Sequence, residues 1–287
     1  MTDIPPKATL QRKTDVTHSW SCRRCEFAVW SQTRDVVREA VRTHLFDHNE
    51  RALSREGYQF RWNCPRCGAA RAKHEKEDAV WSFEQHLFDH VEQQLETDTH
   101  VTDEIGSAGN ALVLSSPERA NDARIHFFDS CDVAILVTTA VADRLRLLAE
   151  RGSSWPDRTI VLTTEERPLA SVDDLDLRDV PLEVVELDRT LGLDEVGETI
   201  SRVIAEHNSP NADVSLAFDM LSEVLATNDL EPAFTFFHLL TERVETADAF
   251  AHFYCDPDTT AAPTMNLLSE LFDARLSVTE DRFVLES

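Results

Sequence analysis

"RTHLFDHNE" at 42–50 and "EQHLFDHVE" at 84–92 carry the same word, HLFDH, at an offset of forty-two residues. Upstream, "WSCRRC" (Trp20 to Cys25) is matched at that same offset by "WNCPRC" (Trp62 to Cys67). The duplicated positions are therefore two Cys pairs and two His pairs: Cys22, Cys25, His44 and His48 in the first copy, Cys64, Cys67, His86 and His90 in the second. In both copies eighteen residues separate the second Cys from the first His, and three separate the two His. Cys-x-x-Cys is a tight knuckle that aims two thiolates at one ion, and histidines at i and i+4 share one helical face. Two thiolates and two imidazoles complete a tetrahedral zinc shell.

The intervening sequence fits this reading. "EFAVWS" (26–31) reads as a short strand and "TRDVVREAVRTHLFDH" (33–48) as a helix with an apolar ridge of Val37, Val41 and Leu45. The corresponding ridge of the second copy is Ala79, Phe83 and Leu87. The shared residues are thus ligands plus a core ridge, as a small ββα metal unit needs. A unit of about thirty-five residues buries too little apolar surface to fold unaided, so the metal is expected to supply much of its folding free energy. Two structural Zn2+ per chain are expected, and four protein ligands leave no open coordination position for catalysis.

These units resemble zinc fingers of the Cys2His2 class, through CRRC…HLFDH and CPRC…HLFDH. They depart from the DNA-reading members, whose spacer from Cys to His is about twelve residues. The fifteen residues between His48 and Cys64 also exceed the short linker that lets adjacent fingers follow a groove. One feature still suggests nucleic acid. Arg34, Arg38 and Arg42 form an i, i+4, i+8 stripe on the first helix, and Arg23 and Arg24 lie in its knuckle. The second helix has Lys76, Val80 and Glu84 at the matching positions, and Asp35 and Glu39 are spaced to pair with Arg38 and Arg42. The stripe is read either as a salt-bridged solvated face or as a phosphate grip.

Charge divides the chain. Residues 1–92 hold 15 Lys+Arg against 14 Asp+Glu, and the remaining 195 hold 13 against 39, so the formal net charge of −25 lies in the C-terminal part. Lysine occurs only at 7, 13, 73 and 76. An acidic, lysine-poor surface resembles that of cytoplasmic proteins of haloarchaea, the alternative being an acidic mesophile protein with a solvated surface. The longest apolar run, "VAILVTTAVA" (133–142), is half a membrane span, which implies a cytoplasmic protein with no membrane partner. Six cysteines, four of them in the two pairs, favour metal over disulfides.

Beyond a polar stretch at 99–110, read as a linker, apolar runs alternate with amphipathic ones. "ALVLSS" (111–116), "VAILVTT" (133–139), "TIVLTT" (159–164), "LEVVEL" (182–187) and "VSLAFD" (214–219) read as buried strands, with helices at 140–152, 193–208 and 231–244. That alternation implies a mostly parallel, doubly covered sheet. The last segments add a helix and strands expected to close one edge as a hairpin. The expected organisation is a polar tail (1–17), finger 1 (18–50), finger 2 (51–98), the linker (99–110) and an α/β domain (111–287).

The order of elements resembles the RecA/KaiC-type ATPase fold, and more closely haloarchaeal RecA-like proteins of unknown function that have lost their nucleotide motif. The likeness is carried by "VSLAFDMLSEVLATNDLEPAFTFFHLLTERVETADAFAHFYCDP" (214–257), where a hydrophobic strand ending in Asp219 sits as a Walker B strand would. Where the family has its phosphate loop, this chain reads "SSPERANDARIHFF" (115–128), without glycine or lysine. A phosphate cradle needs glycines for close backbone approach and a lysine for the terminal phosphates. Ordinary ATP hydrolysis is therefore not expected. Asp219 is read either as the cap of a helix starting near Met220 or as a retained metal-nucleotide ligand. Cys131 and Cys255 read as buried small hydrophobes, His238 as lying on an apolar helical face, and His252 and Cys255 as facing opposite sides of a strand.

The function these features imply is a non-enzymatic regulatory or adaptor protein: fingers for macromolecular recognition, and a silent ATPase-derived domain that engages a protein partner or senses a signal. The alternatives are a DNA-binding transcription regulator using Arg34, Arg38 and Arg42, and a divergent nucleotide-binding enzyme using Asp219.

Overall fold

The computed structural model describes residues 17–286 apart from 107, 130, 153, 210 and 211; the expected polar tail lies, up to residue 16, outside the described residues. The first repeat is a ββα unit: β1 (His18–Ser21), β2 (Ala28–Ser31) and α1 (Arg34–Asp47). The second has one strand more, β3 (Leu53–Glu56), β4 (Gln59–Asn63) and β5 (Ala70–Lys73), an antiparallel sheet packed on α2 (Lys76–Asp89). The fifteen residues between His48 and Cys64 are thus a 3-10 turn (Glu50–Ala52) followed by the β3–β4 hairpin, with no free linker among them.

The ridges Val37, Val41, Leu45 and Ala79, Phe83, Leu87 are all buried, and they meet in one core with Trp20, Trp62, Phe88 and Val91. The two repeats share that core because α1 and α2 pack against each other, Phe46 meeting Phe83 edge-on at 6.3 Å between centroids. Sharing lets two units that are each too small for a hydrophobic core build one together.

The polar stretch 99–110 differs from the expected linker. After β6 (Glu96–Thr97), which pairs with β1, comes a short helix α3 (Val101–Ile105) whose Val101 is fully buried. Val101 and Ile105 at i, i+4 spacing are too few for a visible period yet enough to dock a single turn. Strand β7 (Gly109–Leu114) then begins within this stretch. Gly109 takes φ +124, and a Cβ there would lie 2.8 Å from the Asp273 carboxylate that accepts from the Asn110 N–H.

The remaining elements alternate as expected: α4 (Ala120–Phe128), β8 (Val133–Val137), α5 (Val141–Arg151), β9 (Arg158–Thr163), β10 (Leu182–Glu186), α6 (Leu193–His207), β11 (Val214–Phe218), α7 (Leu221–Thr227), α8 (Leu230–Thr246), β12 (Phe250–Cys255), α9 (Ala262–Ser269), β13 (Ala274–Val278) and β14 (Phe283–Glu286). The large sheet runs β10-β9-β8-β11-β12-β7-β13-β14-β2-β1-β6. From β10 to β13 every pairing is parallel, and β7, β8, β11 and β12 are buried along their whole length, which is why they read as mostly apolar runs. Helices α6, α7 and α8 cover one face, and α4 and α5 the other.

The terminal hairpin does not close the sheet. Strand β14 pairs antiparallel with β2 of the first repeat, Phe283 opposite Trp30, Val284 opposite Val29 and Leu285 opposite Ala28. Ala28 and Trp30 join the core under α4 and α5, whereas Val29, pointing the other way, joins the core shared by the repeats. The β1–β2 hairpin has an unpaired edge at β2, and the β13–β14 hairpin has one at β14; joining them satisfies both. Among the described residues no helix is long and apolar enough to cross a membrane.

Candidate metal centres

Both Cys/His sets expected from the repeat converge. Cys22, Cys25, His44 and His48 place their ligand atoms within 4.8 Å of one another, and so do Cys64, Cys67, His86 and His90. In the first, Cys25 Sγ lies 3.5 Å from His44 Nε2 and 3.4 Å from His48 Nε2, and Cys22 Sγ lies 3.6 Å from His48 Nε2. In the second, Cys64 Sγ to His90 Nε2 is 3.5 Å, Cys67 Sγ to His86 Nε2 is 3.2 Å and the two Nε2 atoms are 3.2 Å apart. Metal–sulfur and metal–nitrogen bonds of about 2.3 and 2.0 Å at tetrahedral angles put S and N roughly 3.5 Å apart. The side chains are thus already spaced as the shell of one tetrahedral ion at each site.

Local sequence builds the shells. Each knuckle closes through the backbone, Cys22 N–H donating to Phe27 O and Cys64 N–H to Ala69 O. Gly68, at φ +72, takes the left-handed turn that ends the second knuckle. His44 and His86 sit in the last turns of α1 and α2, and His48 and His90 cap them. Phe27 stacks on His44 at 3.9 Å and Trp62 on His86 at 5.0 Å, fixing the ring planes. Burial, then the neighbouring His48, lowers the His44 pKa to about 4, and burial with His90 lowers that of His86, so both imidazoles are neutral and free to ligate at neutral pH.

The arginine stripe is committed within the protein. Arg42 pairs with Glu84 at 3.2 Å, Arg34 with Glu92 at 3.3 Å and Arg38 with Asp35 at 3.4 Å, while Arg38 also lies over the Phe88 ring. Only the Arg38–Asp35 pair is the one its spacing suggested; Arg34 and Arg42 reach across to acidic residues of the second repeat. Arg23 and Arg24 remain exposed in the first knuckle.

Asp219 follows β11 with its side chain 5% exposed, and it caps nothing: the helix that follows has Met220 as its cap residue and no side-chain cap bond. Instead it accepts from Arg124 of α4 (Nε 2.8 Å, Nη2 2.6 Å) and from Arg144 of α5 (Nε 2.5 Å). Burial alone would raise the carboxyl pKa, but the two guanidiniums together outweigh it and hold it below the usual carboxylate range. The Arg124 guanidinium lies 4.1 Å from the Tyr254 ring centroid. Tyr254 Oη is 2.7 Å from His252 Nδ1, and His252 Nε2 is 3.0 Å from Ser215 Oγ. Arg124 therefore lies, buried, in the segment that would hold a phosphate loop. Its signal was legible as a lone arginine inside the apolar set Ala120, Ala123, Phe127 and Phe128.

The other candidates fall into place as structure. Burial pushes the Cys131 thiol up to about 12 and raises that of Cys255. His252 and Cys255 do face opposite sides, into the α4 and α8 cores respectively. His238 differs from expectation: it is exposed and 3.7 Å from Glu242, because Phe236, Phe237, Leu240 and Val244 define the buried face of α8.

None of the curated proteins matches the sequence. Among solved structures, a Pyrococcus horikoshii OT3 protein from a structural project has a TM-score of 0.41 and 11% identity, over 61% of this chain and 83% of that one. The flagellar accessory protein FlaH from Methanocaldococcus jannaschii has a TM-score of 0.38 and 11% identity, over 62% and 75%. Residues 108–278, from the start of the parallel sheet to the end of β13, match the family of unknown function DUF7504, and the chain belongs to that family.

Proposed function

We propose that this chain is a non-enzymatic adaptor or regulatory protein of a salt-adapted cytoplasm, in which two structural zinc ions hold a recognition module on a catalytically silent, RecA-derived domain. The observation that carries the reading is the pairing of Asp219 with Arg124 and Arg144. A carboxylate at the end of such a strand serves a nucleotide-binding protein by meeting a Mg2+ ion. Here its oxygens are taken by two cations supplied by the chain itself, and the loop after β7 has neither glycine nor lysine to cradle phosphate. The α/β domain is left to bind a protein partner, with no ordinary ATP hydrolysis.

Zinc is favoured at both Cys2His2 sets because two thiolates and two imidazoles at tetrahedral spacing suit it, and the closed four-ligand shell makes its role structural. The test has two arms. Metal analysis of the purified chain should find two zinc, and thermal melts with and without Mg-ATP should coincide. A clear rise in melting temperature with Mg-ATP would overturn the silent-domain reading, and a folded metal-free chain would overturn the zinc reading.

A further inference from the structure

Residues 51–73 carry six Lys+Arg and a single acidic residue, Glu56, in a chain of net charge −25. All six cations, Arg51, Arg55, Arg61, Arg66, Arg71 and Lys73, are exposed. Glu56 is taken by Arg61 at 3.7 Å, and among the described residues none of the other five has a carboxylate partner. This is unlike the arginine stripe of α1, whose members are all paired.

Strand register orders these charges around aromatic rings. Phe60 of β4 stands opposite Arg55 of β3 on one side and Lys73 of β5 on the other, and directly opposed residues share a face. Two residues along, on that same face, Trp62 stands opposite Arg71. Helix α2 buries Trp62 against Phe83, while Phe60 is only half-buried, with the Arg55 guanidinium 5.8 Å from its centroid. Tyr58, in the turn between β3 and β4, is 92% exposed. A cation–aromatic–cation row with a free tyrosine at its tip matches the two needs of single-stranded nucleic acid, charge for phosphates and ring faces for unstacked bases.

We propose that this sheet of the second finger, built on Arg55, Tyr58, Phe60, Arg71 and Lys73, is a docking surface for single-stranded nucleic acid. The inference rests on the reading of the fingers as a recognition module, and it moves the contact from the helix to the sheet. An acidic polypeptide would satisfy the charge but leave the exposed Tyr58 ring unused. The strongly acidic α/β domain repels a polyanion, which confines contact to this finger.

The test is fluorescence anisotropy of the full chain with a labelled oligodeoxythymidine over a salt series. The Arg55→Glu/Lys73→Glu double variant should weaken binding at least about ten-fold, and Tyr58→Ala about five-fold or more. The milder Arg55→Gln/Lys73→Gln variant, which guards against misfolding, should lower the slope of log K against log salt by about 1.4. Arg23→Glu/Arg24→Glu, in the other knuckle, should change binding less than two-fold. Absence of binding at low salt, equal loss in the Arg23/Arg24 control, or tighter binding of polyglutamate than of the oligonucleotide would each overturn the proposal. Zinc content is read on the same samples: failed binding by a chain with two zinc removes this surface only, whereas a folded chain without zinc removes the zinc-module reading.

Discussion

Arg42 of α1 and Glu84 of α2 form an ion pair at 3.2 Å, and the two residues occupy the same position in the two repeats. The duplication therefore carries a complementary pair across its own interface, with a cation in one copy and an anion in the other. Both side chains are more than four-fifths shielded, so their attraction is less screened than that of a surface pair. A double-mutant cycle of Arg42→Ala and Glu84→Ala, read by denaturant unfolding, should give a coupling of roughly 1 kcal/mol. A coupling near zero would mean that the helices are held by Phe46, Phe83 and Phe88 alone.

Loss of metal should be felt unequally at the two sites. Cys25→Ser should release the first knuckle and with it β2, which pairs with β14 through Ala28 and Leu285. Amide exchange at Leu285 should then accelerate, whereas Cys64→Ser, acting on a separate three-stranded sheet, should leave it slow. Each variant should retain one zinc.

Asp219→Asn should be strongly destabilising. It removes the charge that neutralises two largely buried guanidiniums, and breaking such a pair costs about 3–5 kcal/mol. Urea titration measures the loss, and Asp219→Glu should recover little because the two-arginine geometry is set by α4 and α5.

Acid should unfold the junction between the Cys/His repeats and the α/β domain. His100 and His126 stack at 3.6 Å, His126 Nε2 accepts from the Val101 N–H, and Phe127 and Phe283 close around the His126 ring, with Asp103 and Asp129 the nearby carboxylates. Burial and the neighbouring His100 lower the His126 pKa to about 3, from an ordinary 6.5. A base whose folded pKa is depressed contributes stability that is complete above the unfolded value and is lost as pH falls below it. The loss from His126 should begin near pH 6.5 and reach about 2 kcal/mol at pH 5. Replacing His126 by Phe should flatten this acid limb in melts recorded against pH.

The repeats also differ in one buried polar group. Trp62 Nε1 donates to Ser82 Oγ at 2.8 Å, whereas Trp20 Nε1 is buried without a partner, and the residue matching Ser82 in the first copy is Ala40. Ala40→Ser is expected to stabilise the chain by about 1 kcal/mol, measured as a rise in the urea midpoint at unchanged slope.

Local chemistry was legible without the fold. The four Cys and four His of the two sets, their knuckles and the apolar ridges are short-range patterns, fixed by helical and turn geometry over a few residues, and all converge as the spacing implied. The central parallel strands were equally legible, since burial on both faces leaves a mostly apolar run. What tertiary structure alone decided is which partners those local pieces find. The partners of Arg34 and Arg42, the two arginines at Asp219, the docking of Val101 and the continuation of β14 into β2 all join residues far apart in the chain. A charge has no periodicity that names its counter-charge, and a strand edge no residue pattern that names its neighbour. Those choices are made when the whole chain packs, by burying every edge and neutralising every enclosed charge at once.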